Sequence, residues 1–316
     1  MHVCISNFIN HDIKINGESS GLVKMDYSFP HYFLSKQSVD DRALNQEVIK
    51  ALKAQIPSTS IDIIEIGAGI GTMLKRLIGW GIITHANYLM VDENSENIDY
   101  AAAWIPEWAE SSGLGVERSG ARQLRIFDPS RDIQINFKRI DVFDFIKRNP
   151  PKSDLLIAHA VLDLFPMPDS LPKLFSLTRG LAWLTINFDG VTTFEPMIHP
   201  LLDEQIERLY HQTMDMRPTG GDSKSGRHLF SHFRSVNAQV LAAGASDWVV
   251  YPANGGYPAD EAYFLNCILH FFEQSLMDCP QLDRDDFSRW LVERRKQIEQ
   301  AELIYIAHQM DFLVKP

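Results

Sequence analysis

Ile61-Asp62-Ile63-Ile64-Glu65-Ile66-Gly67-Ala68-Gly69-Ile70-Gly71-Thr72 decides how the rest of the chain is read. Its first six residues are rich in β-branched side chains and read as a short buried strand. Glycines at every second position follow, and then Met73, Leu74, Leu77 and Ile78 recur at helical spacing as far as Gly79. Glycine lets a backbone bend tightly and come close to a ligand. The helix start behind it leaves N–H groups without internal partners. A strand, a glycine turn and a helix in direct succession therefore describe a ligand cradle.

On both sides of this stretch strand and helix alternate. Leu44, Val48, Ile49 and Leu52 follow a helical period over residues 41–52, which Pro57 and Ser58 close. Residues 87–91 form a strand ending at Asp92, and residues 95–110 a helix. Residues 113–120 read as a loop. Strands are predicted over 123–127, 133–140 (ending at Asp141), 154–159 and 181–188, with a helix over 171–177. The alternation predicts βαβ units, hence a doubly wound, mainly parallel sheet with helices on both faces. Ligands of such sheets bind beyond the carboxyl ends of the strands. Gly67, Asp92, Asp141, His159 and Asp189 all stand there. Beyond residue 190 we expect helices over 200–214, 229–243 (capped by Gly244), 260–276 and 283–300, and strands over 247–251 and 303–314. Residues 217–227 read as a polar, glycine-rich loop.

The glycine spacing is G-x-G-x-G, with Thr72 where a dinucleotide motif places its third glycine. Together with Glu65 it resembles the first motif of the class I methyltransferases, which use S-adenosylmethionine (SAM). The resemblance covers residues 45–190 well and 229–251 moderately. It implies a Rossmann-like seven-stranded sheet closed by an antiparallel last strand. It also implies SAM as cofactor and S-adenosylhomocysteine as product. Carried over by position, Glu65, Gly67, Ala68, Gly69 and Gly71 lie against the amino-acid part of SAM. Asp92, with Glu93 beside it, holds the ribose hydroxyls, since a carboxylate can accept from both. Asp141 and Val142 meet the adenine. His159, after the fourth strand, faces the sulfonium and the acceptor. Many small-molecule members place a helix over the cofactor, which offers Tyr32 and Arg42 as contacts, Arg42 pairing with the methionine carboxylate.

On this scheme residues 1–44 are a cap, 45–190 the SAM-binding core, and 191–316 the remainder of the same domain. Segments 191–228 and 252–300 are inserted on the substrate side. His159 and Asp189 are the catalytic candidates, His159 because an imidazole titrates near working pH. Arg227, His228 and Tyr263 are the substrate-binding candidates. His228 and His232 stand four apart, yet no acidic third ligand adjoins them, so no metal is expected. The two helices of 260–300 depart from the plainest family pattern.

Composition narrows the setting. The 316 residues carry a formal charge of −11, which suits neither nucleic acid nor a phosphate-rich surface. The longest basic run is Arg294-Arg295-Lys296. Cys4, Cys267 and Cys279 are scattered and odd in number, as expected of reduced thiols in a cytoplasmic protein. No apolar run is long enough to span a bilayer. The expected acceptor is a small organic molecule, with a homodimer possible. Two rivals stand beside this reading: a non-catalytic SAM-binding partner or regulatory protein, and an NAD-dependent oxidoreductase, which the glycine spacing disfavours.

Overall fold

The computed structural model describes residues 27–57, 59–217 and 220–316. The part of the expected cap before residue 27 lies outside the described residues. In chain order the elements are α1 (Phe29–Ser35), α2 (Gln37–Ala43), α3 (Gln46–Gln55), β1 (Ile61–Ile66), α4 (Thr72–Gly79), β2 (His85–Asp92) and α5 (Ser95–Ser111). Then come β3 (Gly115–Gly120), β4 (Gln123–Asp128), β5 (Arg131–Arg139), α6 (Val142–Lys147), β6 (Ser153–His159), α7 (Met167–Phe175) and β7 (Thr178–Glu195). The chain closes with α8 (Pro200–Asp215), α9 (Ser225–Ser235), β8 (Gln239–Ala245), β9 (Trp248–Val250), α10 (Glu261–Leu276), α11 (Arg284–Glu299) and β10 (Ile304–Lys315).

All ten strands join one sheet, in the order β3-β4-β5-β2-β1-β6-β7-β10-β8, with β9 pairing only to β10. This corrects the expected count of seven. From β5 to β7 neighbouring strands are parallel, and β10 runs antiparallel between β7 and β8. The additions are the β3–β4 hairpin at one edge and the three-residue β9. Successive side chains along a strand point to opposite faces, so the strands build two cores. Ile61, Ile63, Leu155, Ile157 and Trp183 face one core, which α3, α4, α5, α8, α10 and α11 cover. Ile64, Ile66, Leu156, Ala158 and Leu184 face the other, covered by α6, α7 and α9.

Three expectations about elements change. Residues 113–120 are not all loop, because β3 pairs antiparallel with β4. Its residues are half-buried or exposed throughout, so no apolar alternation announces it. The helix expected over 229–243 stops at Ser235. Asn237 takes a left-handed φ of 56°, and Gln239–Ala245 pairs with β10 instead. Gly244 is therefore a strand residue and caps no helix. The strand expected to end at Phe188 continues to Glu195, since β10 offers a partner as far as Ile304. Asp189 thus lies inside β7 and not beyond its end.

Helices α1 and α2 lie over the glycine turn. They are held there by polar bonds on several sides. Asp40 accepts from Lys36 Nζ at 2.8 Å, His159 Nε2 at 3.0 Å and Trp248 Nε1 at 2.9 Å. Arg76 of α4 donates to Asp41 at 2.5 Å. Arg42 forks onto the fully buried Glu261 of α10 at 2.6 and 2.9 Å. No helix among the described residues is long and apolar enough to cross a membrane.

Candidate active site

The carboxyl ends of β1, β2, β5 and β6 open into one cavity, with about 770 Å³ of space continuous with solvent. Gly67, Asp92, Glu93, Asp141 and Val142 all line it, so five of the residues carried over by position converge.

The floor is the glycine turn. Gly67 has a φ of 58°, and a Cβ there would come 2.7 Å from Val161 Cγ2, so only glycine lets the turn close on the segment after β6. Ala68 N–H donates to Val91 O at 3.1 Å, and Trp104 Nε1 reaches Ile70 O at 2.7 Å, which ties the turn to β2 and α5. Asp92 completes the tie. Its Oδ2 accepts Gly69 N–H at 2.8 Å, and its Oδ1 accepts from Asn94 N–H at 2.8 Å and Asn97 Nδ2 at 3.3 Å. Burial pushes its carboxyl up, and these bonds oppose the rise.

Glu93 is exposed beside Asp92 and has no hydrogen bond to a described residue. Burial raises its carboxyl, and the charges of Asp141 and Asp92 add to the rise. Asp141 caps α6 through Oδ1, which accepts Phe143 N–H and Asp144 N–H, both at 2.9 Å; its Oδ2 has no hydrogen bond to a described residue. Between these carboxylates the walls are apolar: Val91, Ile140 and Val142 on the sheet side, Val161, Leu164 and Phe165 after β6, and Phe29 and Phe33 from α1.

Other sequence candidates stand apart from the cavity lining. Glu65 lies beneath the turn, accepts Tyr88 Oη–H at 2.7 Å, and is pushed up to about 8 by burial. Ala68, Gly69 and Gly71 shape the turn from below, Gly71 as the left-handed cap of α4. Tyr32 faces Phe264 and Phe271 of α10, and Arg42 is committed to Glu261. His159 is buried with both nitrogens engaged, Nδ1 by Thr185 Oγ1 at 2.8 Å and Nε2 by Asp40. Asp40 accepts only, so the neutral ring donates from Nε2 and accepts at Nδ1. Burial lowers the ring to about 4. No lone pair remains for an acceptor's proton. Asp189 is buried, and Oδ1 accepts from the backbone N–H and Nε of Arg227 at 2.7 and 2.9 Å. His228 bonds to Asp222, and Tyr263 stacks on His31 at 3.6 Å. Among the described residues no three His, Cys, Asp or Glu side chains cluster as a metal site.

The lining residues not singled out by sequence have local explanations. Phe29 and Phe33 are four apart and share the face of α1 that meets the cavity, whereas Tyr32 is turned to α10. Asn94 is the N-cap of α5 and Asn97 lies in its first turn, a placement that the run Asp92-Glu93-Asn94-Ser95 signals. Leu164 ends and Phe165 caps a single 3-10 turn, which has no periodic signature.

Neither a protein-family model nor a curated protein matches the chain. Among solved structures it is similar to a SAM-dependent methyltransferase from Thiobacillus denitrificans in complex with S-adenosylhomocysteine (12% identity, 92% of this chain and 99% of that one, TM-score 0.46). It is also similar to a cyclopropane-fatty-acyl-phospholipid synthase-like protein from Lactobacillus casei (11%, 90% and 91%, 0.48). A third is magnesium protoporphyrin IX methyltransferase from Synechocystis with bound S-adenosylhomocysteine (14%, 72% and 84%, 0.42).

Proposed function

We propose that the chain transfers a methyl group from SAM to a small organic acceptor and releases S-adenosylhomocysteine. The observation that carries this reading is the pair of cavity carboxylates, Glu93 and Asp141, set across apolar walls above a glycine turn. The residues fit the cofactor. Glu93 has no hydrogen bond to a described residue and suits vicinal hydroxyls; Asp141 Oδ2 suits an exocyclic amine. Ile140, Val142, Leu164 and Phe165 supply faces for a flat ring. Asp92 acts one step behind, holding the turn to β2.

Bound SAM supplies a methyl group already activated by its sulfonium. What is left for the chain is to align the acceptor and exclude water. Phe29, Phe33 and Phe165 are placed to do the second. The engaged states of His159 and Asp189 favour a transfer without a general base from either. The same observation supports a second reading, a SAM-binding partner with no transfer of its own. The cytoplasmic setting, the three-part division at residues 44 and 190, and a possible homodimer belong to the proposal too. Two of the thiols, Cys267 and Cys279, are free.

Calorimetric titration with SAM, S-adenosylhomocysteine and NAD tests the reading. Both adenosyl ligands should bind, and Glu93→Gln and Asp141→Asn should each weaken them at least about tenfold, the scale of a lost charged hydrogen bond. Binding of NAD instead, or unchanged affinity in both variants, would overturn it. Binding of SAM without turnover across an acceptor screen would select the second reading.

A further inference from the structure

The two edges of the sheet differ. At one, β3 exposes Glu117 and Arg118, and Glu117 pairs with Arg125 at 3.0 Å. Charged side chains keep an open edge from pairing with another chain. At the other, β8 reads Gln239-Val240-Leu241-Ala242-Ala243-Gly244-Ala245, with no charge and no proline. All seven residues are half-buried or exposed. Helices α3 and α9 pack against this strand, and no described strand pairs with its outer side. Ala245 O accepts Asn45 Nδ2 at 2.9 Å; no other backbone group of β8 bonds to a described residue outside the ladder with β10. Leu313 and Val314 pair with Ala242 and Val240, so Leu241 is the extra residue of a bulge and the regular stretch begins at Ala242.

Apolar surface gathers at this edge. Phe230 of α9 is 43% exposed and stands edge-on to Phe312, 5.0 Å away, whose strand partner is Ala243. Val249 of β9, along the same border of β10, is 41% exposed. The charges lie at the two ends of β8 and have opposite signs. Arg234 precedes the strand and Lys315 pairs beside Gln239; both are exposed. Asp247 follows the strand, and its Oδ2 has no hydrogen bond to a described residue.

These features identify the occupant. An antiparallel strand edge is its own complement, because a two-fold rotation sets the N–H and C=O groups of one copy against those of the other. The same rotation lays Arg234 and Lys315 beside the partner's Asp247. Copies of a chain with a charge of −11 repel each other, and β8 adds nothing to that repulsion. Phe230 adds the kind of aromatic anchor that interfaces favour.

We propose that two copies of this chain join through β8, antiparallel and centred on Ala242–Ala243, so that one sheet runs through both. This gives the homodimer named above a surface. It rests on that part of the functional reading alone and is independent of methyl transfer.

Sedimentation equilibrium of the full chain tests it, with Ala243→Lys, Phe230→Ser and Val292→Ser alongside. Val292 is 52% exposed on α11, which packs on α10. Wild type should sediment with the mass of two chains at about 10 μM, as a dissociation constant of about 1 μM or tighter requires. Ala243→Lys sets like charges against each other across the axis. It and Phe230→Ser should each weaken the dimer about tenfold or more, whereas Val292→Ser should leave it unchanged. Circular dichroism of all three should match wild type, which separates a lost interface from a lost fold. A monomeric wild type, an open-ended assembly, or a dimer that survives both edge variants overturns the proposal. Binding of S-adenosylhomocysteine is measured on the same samples. A monomer that binds it removes the interface alone; a dimer that does not bind it removes the methyltransferase reading alone.

Discussion

His159 shows how the same residue type in the same place can serve structure or chemistry. Position beyond a strand end suggested a base, but the ring is closed on both sides and lowered to about 4. The unfolded imidazole titrates near 6.5. As pH falls the unfolded chain takes up the proton first, so stability is full above about 6.5 and is lost on the way down to about 4. The shift corresponds to a loss on the order of 3 kcal/mol across that window. His159→Gln should flatten the fall of unfolding free energy between pH 6.5 and 4 by that order, measured by urea titrations. Other histidines lowered by burial, such as the half-buried His211, remain in both proteins and cancel in the difference. Identical slopes would mean that His159 is protonated in the fold. At this scale the cavity was legible where backbone geometry dictates the residue. Gly67 and the strand-end Asp92 and Asp141 could be placed from spacing alone. Leu164 and Phe165 could not, because a single 3-10 turn has no period to read.

Among the elements, β1 to β7 and their helices were readable because long periodic runs face a continuous core. The errors lie where the period is absent or ambiguous. Gln239–Ala245 is mostly small and apolar, which suits helix or strand alike, and β10 decides for strand. The two helices of the inserted part were found, but not what holds them. Asp203 of α8 accepts from Trp290 Nε1 at 2.5 Å and from Arg294 Nη2 at 2.7 Å, both on α11. Arg294 is fully buried and burial lowers its pKa, so the longest basic run of the sequence turns its first member inward. Arg295, next in that run, pairs with Glu273 of α10. Asp203→Ala should cost about 3–5 kcal/mol in denaturant unfolding, because it strands a buried cation. Asp203→Leu combined with Arg294→Met should recover part of that loss. A single variant within 1 kcal/mol of wild type, a margin usual for surface changes of about 0.5 kcal/mol, would show that water reaches Arg294.

For the whole molecule the decisive feature is the place of β10, last of the described strands in sequence and interior in the sheet, between β7 and β8. The ribosome finishes β7 long before β10 exists. About 120 residues separate their ends, roughly 6–24 s of synthesis at about 5–20 residues per second. Throughout that interval an 18-residue strand has one side unpaired, a template for pairing with other chains. A chain ending at Glu302 makes the condition permanent and should sediment with aggregates, whereas a soluble, monodisperse product would show that β8 can move in beside β7. The nascent protein thus passes through a period in which a long open edge is complete and the strand that covers it is still unmade, and what shields that edge until β10 emerges decides whether the chain folds or pairs with its neighbours.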